Sequence, residues 1–291
     1  MYPGEILNLF PPFPRTNMVF VAMSFDDAFF PRWKEVLEPA LSKIEVNGEK
    51  LIPHRVDLAS KSDSLITEIV KNIADCRLFL ADISTVGYLP IDATKNKPIR
   101  NSNVLYEIGI AHACRLPEEV VLLRSDADQL DFDISGVRVH SYDPAKKDEA
   151  IEKVATIAIN SLNSIDDRKQ LTVEKSVQSL DVTMYFLLQE SLVDIKHPVM
   201  NTMKDVLSNA ERLAAINRLL SAGLFEAKFK KLTSETFDMA YTEVISYVST
   251  PFGRSVLAKA RELNNFNEAF KAFVKTNEGK QFLNAQQNTD N

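Results

Sequence analysis

The sequence predicts an α/β protein in which a parallel sheet carries helices on both faces and an all-helical region follows. Three observations support this class. Apolar runs of strand length alternate with amphipathic helical segments in the first half of the chain. Several of these runs are continuously apolar, as expected for parallel strands that are buried on both faces. After about residue 166 strand-like runs disappear, and helical periodicity continues to about residue 285.

The strands and helices of the first half can be assigned in order along the chain. The predicted strands are 18–23, 51–56, 77–83, 119–124 and 137–142. The predicted helices are 29–46, 62–76, a segment that begins near Asn103, and 146–162. Pro53 indicates that the second strand lies at a sheet edge, because proline cannot donate to the ladder. Residues 84–102 are predicted to form a long polar loop of the kind that often closes over or binds a ligand.

This alternation favours a flavodoxin-like sheet with the strand order 2-1-3-4-5, although the fourth crossover lacks a clear helix. The strand order then reverses between the first and third strands, and ligands of such sheets bind beyond the carboxyl ends of those strands. Ser24, Phe25, Asp82, Ser84 and the start of the helix that carries Glu107 are expected to converge there.

The chain is predicted to contain four regions. They are an irregular, proline-rich arm over 1–17, the α/β domain over 18–165, a helical domain over 166–285 and a disordered tail over 286–291. Within the third region, helices are predicted at 170–192, 198–222, 233–249, 253–263 and 266–276. Short connections between them are typical of a small bundle.

Composition excludes several classes of protein. The 291 residues are 45% hydrophobic and 25% charged, as in ordinary globular proteins, and the net charge is −6. An acidic chain is a poor candidate for a general nucleic-acid coat or for an anionic-membrane binder. No run approaches the roughly 20 apolar residues of a membrane span. Two cysteines without a CxxC pair or a signal peptide indicate a reduced, cytoplasmic setting.

Glu107 is the carboxylate that the sequence singles out. With Asn103 as the predicted N-cap, a spacing of about 100° per residue gives Glu107 a largely apolar set of neighbours. These neighbours are Asn103, Val104, Ile110, Ala111 and Cys114. An unpaired carboxylate on such a face is costly unless it is paired or used. Two interpretations stay open: Glu107 pairs with a basic residue or with backbone N–H groups, or it is a functional carboxylate.

Familiar cofactor and hydrolase motifs are absent. There is no GxGxxG, GxxxxGK[ST], GxSxG or HExxH, and the turn after the first strand has no glycine to cradle phosphate. The four histidines are scattered and are expected to be structural or exposed: His54, His112, His140 and His197. The aspartates between 126 and 133 lack EF-hand spacing and are expected to form a solvated acidic loop, so no metal site is predicted.

Four segments together carry a resemblance to a known superfamily. They are Ala-Met-Ser-Phe-Asp at the end of the first strand, Phe-Leu-Ala-Asp-Ile-Ser at the end of the third, Asn-Val-Leu-Tyr-Glu-Ile-Gly-Ile-Ala-His-Ala in the helix, and Phe-Asp-Ile before the last strand. This pattern resembles the nucleoside 2-deoxyribosyltransferase-like and TIR-like superfamily. The resemblance spans about residues 17–145 and does not include the C-terminal half.

The resemblance implies an enzyme that acts on an N-glycosidic bond, and it implies a role for each matching residue. Glu107 matches the nucleophile of the deoxyribosyltransferases and the glutamate that catalytic TIR domains need to cleave NAD. Ser24 and Phe25 match the strand end that faces the nucleotide. The other implied contacts are Asp82 and Ser84 in the sugar or base pocket, Asn103 at the helix cap, and Arg55 on a phosphate or ribose.

The residues alone leave simpler roles open. Asp82 and Ser24 could cap turns, and Phe25 could belong to the core. Arg55 could pair with Asp57 or with Glu107 itself, and the second pairing would weaken a catalytic role for Glu107.

The chemistry favours NAD as the substrate, with no cofactor. Departure of the leaving group creates an oxocarbenium-like sugar, which a fixed carboxylate stabilises or traps. Nicotinamide leaves as a neutral molecule and needs no general acid. A purine or pyrimidine needs a proton, for which Asp82 is the candidate nearest the site. We therefore expect an NAD glycohydrolase, and the resemblance suggests a setting in bacterial nucleotide signalling or antiviral defence.

Two alternatives remain. The first is a nucleoside 2-deoxyribosyltransferase or nucleotide N-glycosidase, and the second is a module that senses a nucleotide without cleaving it. In each case the expected partner is a nucleotide or nucleoside, with no membrane and no general nucleic-acid binding. The helical region is expected to regulate the site or to mediate homo-oligomer formation.

Overall fold

The computed structural model describes residues 9–11, 15–46, 48–55, 65–92, 96–130, 136–198, 203–234, 239–263 and 275. The chain divides into two compact units, Met1–Arg168 and Lys169–Asn291. This division lies three residues beyond the predicted boundary at 165/166. Most of the predicted arm (1–8 and 12–14), the helix predicted over 266–276, apart from residue 275, and the tail at 286–291 lie outside the described residues.

The first unit contains the predicted flavodoxin-like sheet. Its five strands are β1 (Met18–Ala22), β4 (Ile52–His54), β5 (Leu78–Asp82), β8 (Val120–Arg124) and β9 (Val139–Ser141), and a small antiparallel pair, β2 (Glu45–Val46) and β3 (Glu49–Lys50), precedes β4. The sheet order is β4-β1-β5-β8-β9, and every pairing is parallel. Counted along the chain, these strands run 2-1-3-4-5, which confirms the predicted order. β4, which contains Pro53, is an edge strand as predicted.

Three helical segments connect strands of this unit, and a fourth follows its last strand and extends past Arg168. The first, α1, combines a 3₁₀ turn (Asp27–Phe29), a helical turn (Phe30–Arg32), a π turn (Trp33–Leu37) and a second helical turn (Glu38–Ser42). The others are α2 (Leu65–Asp75), α3 (Ser102–Cys114) and α4 (Lys147–Gln178). The π turn lies just before Pro39, where a kink was predicted. π turns of this kind often occur at functional sites.

Alternation along the strands divides the core between the two faces of the sheet. On β1, Val19 and Val21 face a cluster that includes the buried residues of α1 and α4. Phe20 and Ala22 face a second cluster, which includes residues of α2 and α3. Because side chains of a strand point alternately to opposite faces, the parity of a residue decides which helices it meets.

The predicted loop over 84–102 is corrected by the structure. It contains an antiparallel hairpin formed by β6 (Gly87–Pro90) and β7 (Asn96–Ile99). The base of the hairpin is tied to the segment that follows β8, since Thr85 and Tyr88 both donate hydrogen bonds to the Asp128 carboxylate, at 2.8 and 2.9 Å. These two strands were not predicted because they contain a glycine and two prolines, which are depleted in strands.

The second unit is not all-helical, which corrects the prediction for 166–285. Its elements are α5 (Val182–Glu190), β10 (Ile195–Lys196), α6 (Met203–Ser221), β11 (Phe225–Ser234), β12 (Met239–Ser249) and α7 (Pro251–Glu262). The three strands form an antiparallel sheet in the order β10-β12-β11. The helix predicted at 233–249 is therefore mainly strand β12. Across the described parts of the chain, no helix combines the length and apolar character needed to cross a membrane.

Candidate functional site

The start of α3 is fixed by Asn101, which corrects the predicted cap at Asn103. The Asn101 side-chain oxygen accepts hydrogen bonds from the backbone N–H groups of Asn103 and Val104, at 3.0 and 3.3 Å. The side-chain amide of Asn101 also donates to Ser24 Oγ at 3.4 Å, so that it links the helix to the end of β1. Asn103 lies in the first turn of α3 with an exposed side chain.

Glu107 lies on α3 at the border of its buried face. Its helical neighbours Val104 and Ala111 are buried, whereas Cys114 and Asn103 are exposed, and Glu107 itself is half-buried. The face is thus less apolar than predicted. The carboxyl group is six residues from Asn101, which corresponds to about 9 Å along the helix axis. Glu107 therefore lies near the middle of α3, the helix that begins at the carboxyl edge of the sheet.

The Glu107 carboxyl group is poorly compensated. Among the residues that the structure describes, it has no hydrogen-bond or ion-pair partner. Burial raises its pKa to about 7, from an ordinary value of 4.5, and no neighbouring cation lowers it. The open possibility that Arg55 neutralises Glu107 is thus not supported. Asp57, the other partner considered for Arg55, lies outside the described residues.

Asp82, by contrast, is fully engaged. One carboxylate oxygen accepts from the backbone N–H of Ser84 at 2.9 Å and from the Ser84 hydroxyl. The other accepts from the Tyr142 hydroxyl at 2.6 Å and lies 3.7 Å from the Arg32 guanidinium. Asp82 is only 2% exposed. Burial, and then the charge of Asp82, raise the pKa of Tyr142 and keep it a hydrogen-bond donor.

Ser125 closes this network, which we call the Asp82 cluster: Arg32, Asp82, Ser84, Ser125 and Tyr142. The Ser125 backbone N–H donates to Ser84 Oγ at 2.9 Å, and Arg32 donates to Ser125 Oγ at 2.8 Å. The cluster joins α1, β5, the segment after β8 and the segment after β9. Its polar groups satisfy one another, so Asp82 is poorly placed to give a proton to a leaving base.

The two groups of predicted site residues lie on opposite faces of the sheet. Asp82 continues the alternation of Leu80, which belongs to the core beside α1 and α4. Ser24 continues the alternation of Ala22, on the face that α2 and α3 cover, and it contacts the N-cap of α3. The carboxyl edge therefore brings Ser24 close to the helix of Glu107, whereas Asp82 and Ser84 point to the other side.

Phe25 and Arg55 are brought together at the ends of β1 and β4. The Arg55 guanidinium carbon lies 4.8 Å from the centre of the Phe25 ring. Phe25 is 41% exposed and is therefore not a core residue. Both residues remain candidates for contact with a ligand at this edge.

Sequence reasoning missed four residues of these arrangements: Asn101, Arg32, Ser125 and Tyr142. Asn101 could have been predicted as the helix cap, because either asparagine of Asn-Ser-Asn can cap a helix. The other three depend on tertiary contacts that no local pattern encodes. Within the described ranges, no group of three or more His, Cys, Asp or Glu side chains is arranged to hold a metal ion.

Comparisons with known proteins add little. No family model matches the chain, and no curated protein matches it. Among solved structures, it is similar to the metal-soaked Flv1 flavodiiron core from Synechocystis sp. PCC6803, with 11% sequence identity and a TM-score of 0.32. That match covers 52% of this chain and 36% of the other. A likeness of this size carries no argument, and the fold assignment rests on the strand order.

Proposed function

We propose that this protein cleaves the N-glycosidic bond of a nucleotide, with NAD as the substrate and Glu107 as the catalytic carboxylate. The observation that carries the proposal is the half-buried Glu107 carboxyl group, which has no partner among the described residues and lies on the helix that begins at the carboxyl edge of the sheet. Ligands of such sheets bind at this edge, where the strand order reverses between β1 and β5. Structural carboxylates are normally paired when they are buried, and the part of the chain that the structure describes gives Glu107 no such pair.

In the proposed reaction, the bond between the ribose C1′ and the nicotinamide nitrogen breaks. The electron pair of that bond moves to the pyridinium ring, which leaves as neutral nicotinamide. Ionised Glu107 stabilises or captures the ribosyl cation, and water then adds at C1′ to give ADP-ribose and a proton. In this proposal Ser24 and Asn101, at the start of the helix that carries Glu107, hold the ribose. Asp82 and Ser84 have no direct part, since the reaction needs no general acid.

The positive charge of the nicotinamide ring also suits this carboxyl group. A cation placed near Glu107 favours its ionised form and lowers its pKa from the value of about 7 in the free protein. Substrate binding and ionisation of the catalytic group would therefore reinforce each other. A neutral nucleoside offers no such compensation.

The test is nicotinamide release from NAD by the full chain at high protein concentration. We expect Glu107→Gln to reduce turnover by about 10³-fold, as loss of a principal electrostatic contact to a transition state does. Glu149→Gln is the matched control, because Glu149 is 76% exposed on α4. Equal release by wild type and Glu107→Gln would remove Glu107 from the mechanism. No release by wild type, together with thermal stabilisation by NAD, would support the sensing alternative.

A second candidate, a nucleoside or nucleotide N-glycosidase, is favoured by the same pKa. A carboxyl group with a pKa of about 7 is about half protonated at neutral pH and can give a proton to a departing base. The pH dependence separates the two. Cleavage that needs the ionised group increases as the pH rises through about 7, whereas cleavage that needs the proton decreases over the same range.

A further inference from the structure

Phe25, Phe30, Trp33 and Arg55 form one cluster at the carboxyl edge, which we call the aromatic–arginine platform. The Arg55 guanidinium carbon lies 4.8, 5.9 and 5.8 Å from the ring centres of Phe25, Phe30 and Trp33. A guanidinium within about 6 Å of a ring centre is attracted to the ring face. Three elements thus contribute to one site: the end of β1, the start of α1 and the end of β4.

The exposure of the rings is uneven and leaves the outer side of the platform open. Trp33 is 6% exposed and forms its base, whereas Phe25 and Phe30 are 41% and 49% exposed. Trp33 is also the first residue of the π turn in α1. Two large aromatic side chains beside a cation, both open to solvent, gain little from folding alone and suit contact with a planar ligand.

We propose that this platform binds the adenylate half of the substrate, with the base stacked on Phe25 and Phe30 and a phosphate beside Arg55. This inference rests on the proposed function, since it assigns a position to the half of the dinucleotide that is not cleaved. Nucleobases stack on aromatic side chains and on arginine planes, and arginine is the side chain best suited to phosphate. In a chain with a net charge of −6, an anionic ligand needs such a local cation.

The position of the platform relative to Glu107 supports this assignment. Phe25 follows Ser24, which contacts the N-cap of α3, and Glu107 lies further along α3. Phe30 and Trp33 belong to α1, on the opposite face of the sheet. A dinucleotide that crosses the carboxyl edge at β1 therefore meets the start of the Glu107 helix on one side and the platform on the other.

The first experiment measures binding of AMP to the full chain by calorimetry. We expect Phe30→Ala to weaken AMP binding by about tenfold, the loss of one stacking contact. Phe229→Ala is the matched control, because Phe229 is 61% exposed in the second unit. Arg55→Gln should reduce the preference for AMP over adenosine, which lacks the phosphate. No AMP binding by wild type, or equal binding by wild type and Phe30→Ala, would overturn the platform.

The second experiment compares cleavage of NAD with cleavage of nicotinamide mononucleotide, which has the scissile bond but no adenylate. Phe30→Ala should raise KM for NAD about tenfold, leave kcat unchanged and leave cleavage of the mononucleotide unaffected. If Phe30→Ala and the wild type cleave NAD with the same KM, the platform is overturned and the proposed function remains intact. Adenylate binding that depends on Phe30, without cleavage of either nucleotide, supports the platform and overturns the proposed function.

Discussion

The two faces of the sheet place a carboxyl group in opposite environments. On the face beside α1 and α4, Asp82 is 2% exposed, and both of its oxygens accept hydrogen bonds. On the face beside α2 and α3, Glu107 is half-buried and has no partner among the described residues. Of these two carboxyl groups, Glu107 is therefore the one that the proposed function uses.

This difference shows how a satisfied polar network is distinguished from a reactive group. In the Asp82 cluster, donors and acceptors from several segments neutralise one another, which holds the end of β5 and α1 together. Removal of Asp82 leaves the buried Tyr142 hydroxyl without its acceptor. Loss of the Glu107 charge leaves none of the described residues without a partner and should increase the stability of the folded protein. The two carboxyl groups therefore predict opposite effects on stability.

The largest effect is expected for Asp82→Ala, which should lower the free energy of unfolding by about 3 kcal/mol because it leaves the buried Tyr142 hydroxyl without its acceptor and removes the charge opposite the half-buried Arg32. Urea denaturation measures this loss. Asp167→Ala, on the exposed side of α4, is the control and should change stability little. A change of under about 0.5 kcal/mol for Asp82→Ala would mean that the cluster is not a structural unit.

A smaller effect, about 1–2 kcal/mol, is expected for Tyr142→Phe, which removes one hydrogen bond to a charged acceptor. Thermal unfolding of this variant beside Tyr106→Phe measures the difference, since Tyr106 is 59% exposed. Equal melting temperatures for the two variants would show that the Tyr142 hydroxyl does not stabilise Asp82.

The smallest effect concerns Glu107 and pH. The folded protein holds a proton on Glu107 up to a pKa of about 7, whereas the unfolded chain releases it near 4.5. Stability is therefore lost as the pH rises through this window, and the loss is complete above about 7. Glu107→Gln avoids it and should be more stable than wild type at pH 8, by on the order of 1 kcal/mol because partial exposure reduces the effect.

This last prediction is checked by melting temperatures at pH 8 and at pH 4. At pH 4 both folded and unfolded wild type hold the proton, so the advantage of the glutamine should disappear. An advantage of equal size at both pH values would show that the substitution acts through packing and not through charge.

Much of the fold could be predicted from sequence, and the reasons are physical. Continuous apolar runs indicate buried parallel strands, and the right-handedness of crossover connections limits the possible strand orders. The 2-1-3-4-5 sheet was therefore predictable. The hairpin of β11 and β12 was not. Within β12, Tyr241, Ile245 and Val248 fit a helical stripe, and a short apolar run does not distinguish a strand from a helix. The segment forms a strand because β12 pairs with β11 along its length.

The sequence predicted that the site residues meet at the carboxyl edge of the sheet, but not that they lie on its two opposite faces. The carboxyl ends of β1 and β5 do meet, as the strand order requires. Parity along each strand, which is visible in the sequence, separates Ser24 from Asp82. Continued from Leu80 to Asp82 and from Ala22 to Ser24, the alternation would have predicted opposite faces. The hydroxyl and guanidinium groups that occupy Asp82 come from distant segments, and no local pattern indicates them.

The Asn101 side chain combines two tasks, and most other residues could perform only one of them. Serine, threonine or aspartate would also accept from the first free N–H groups of α3, so the helix would still begin in the same place. None of them presents the amide donor that reaches Ser24. An exchange of Asn101 for aspartate would keep the shape of the side chain but replace the donor that faces Ser24 with an acceptor. It would also add a second negative charge on the helix of Glu107. The nitrogen atom of that side chain therefore provides a direct link between the end of β1 and the start of α3.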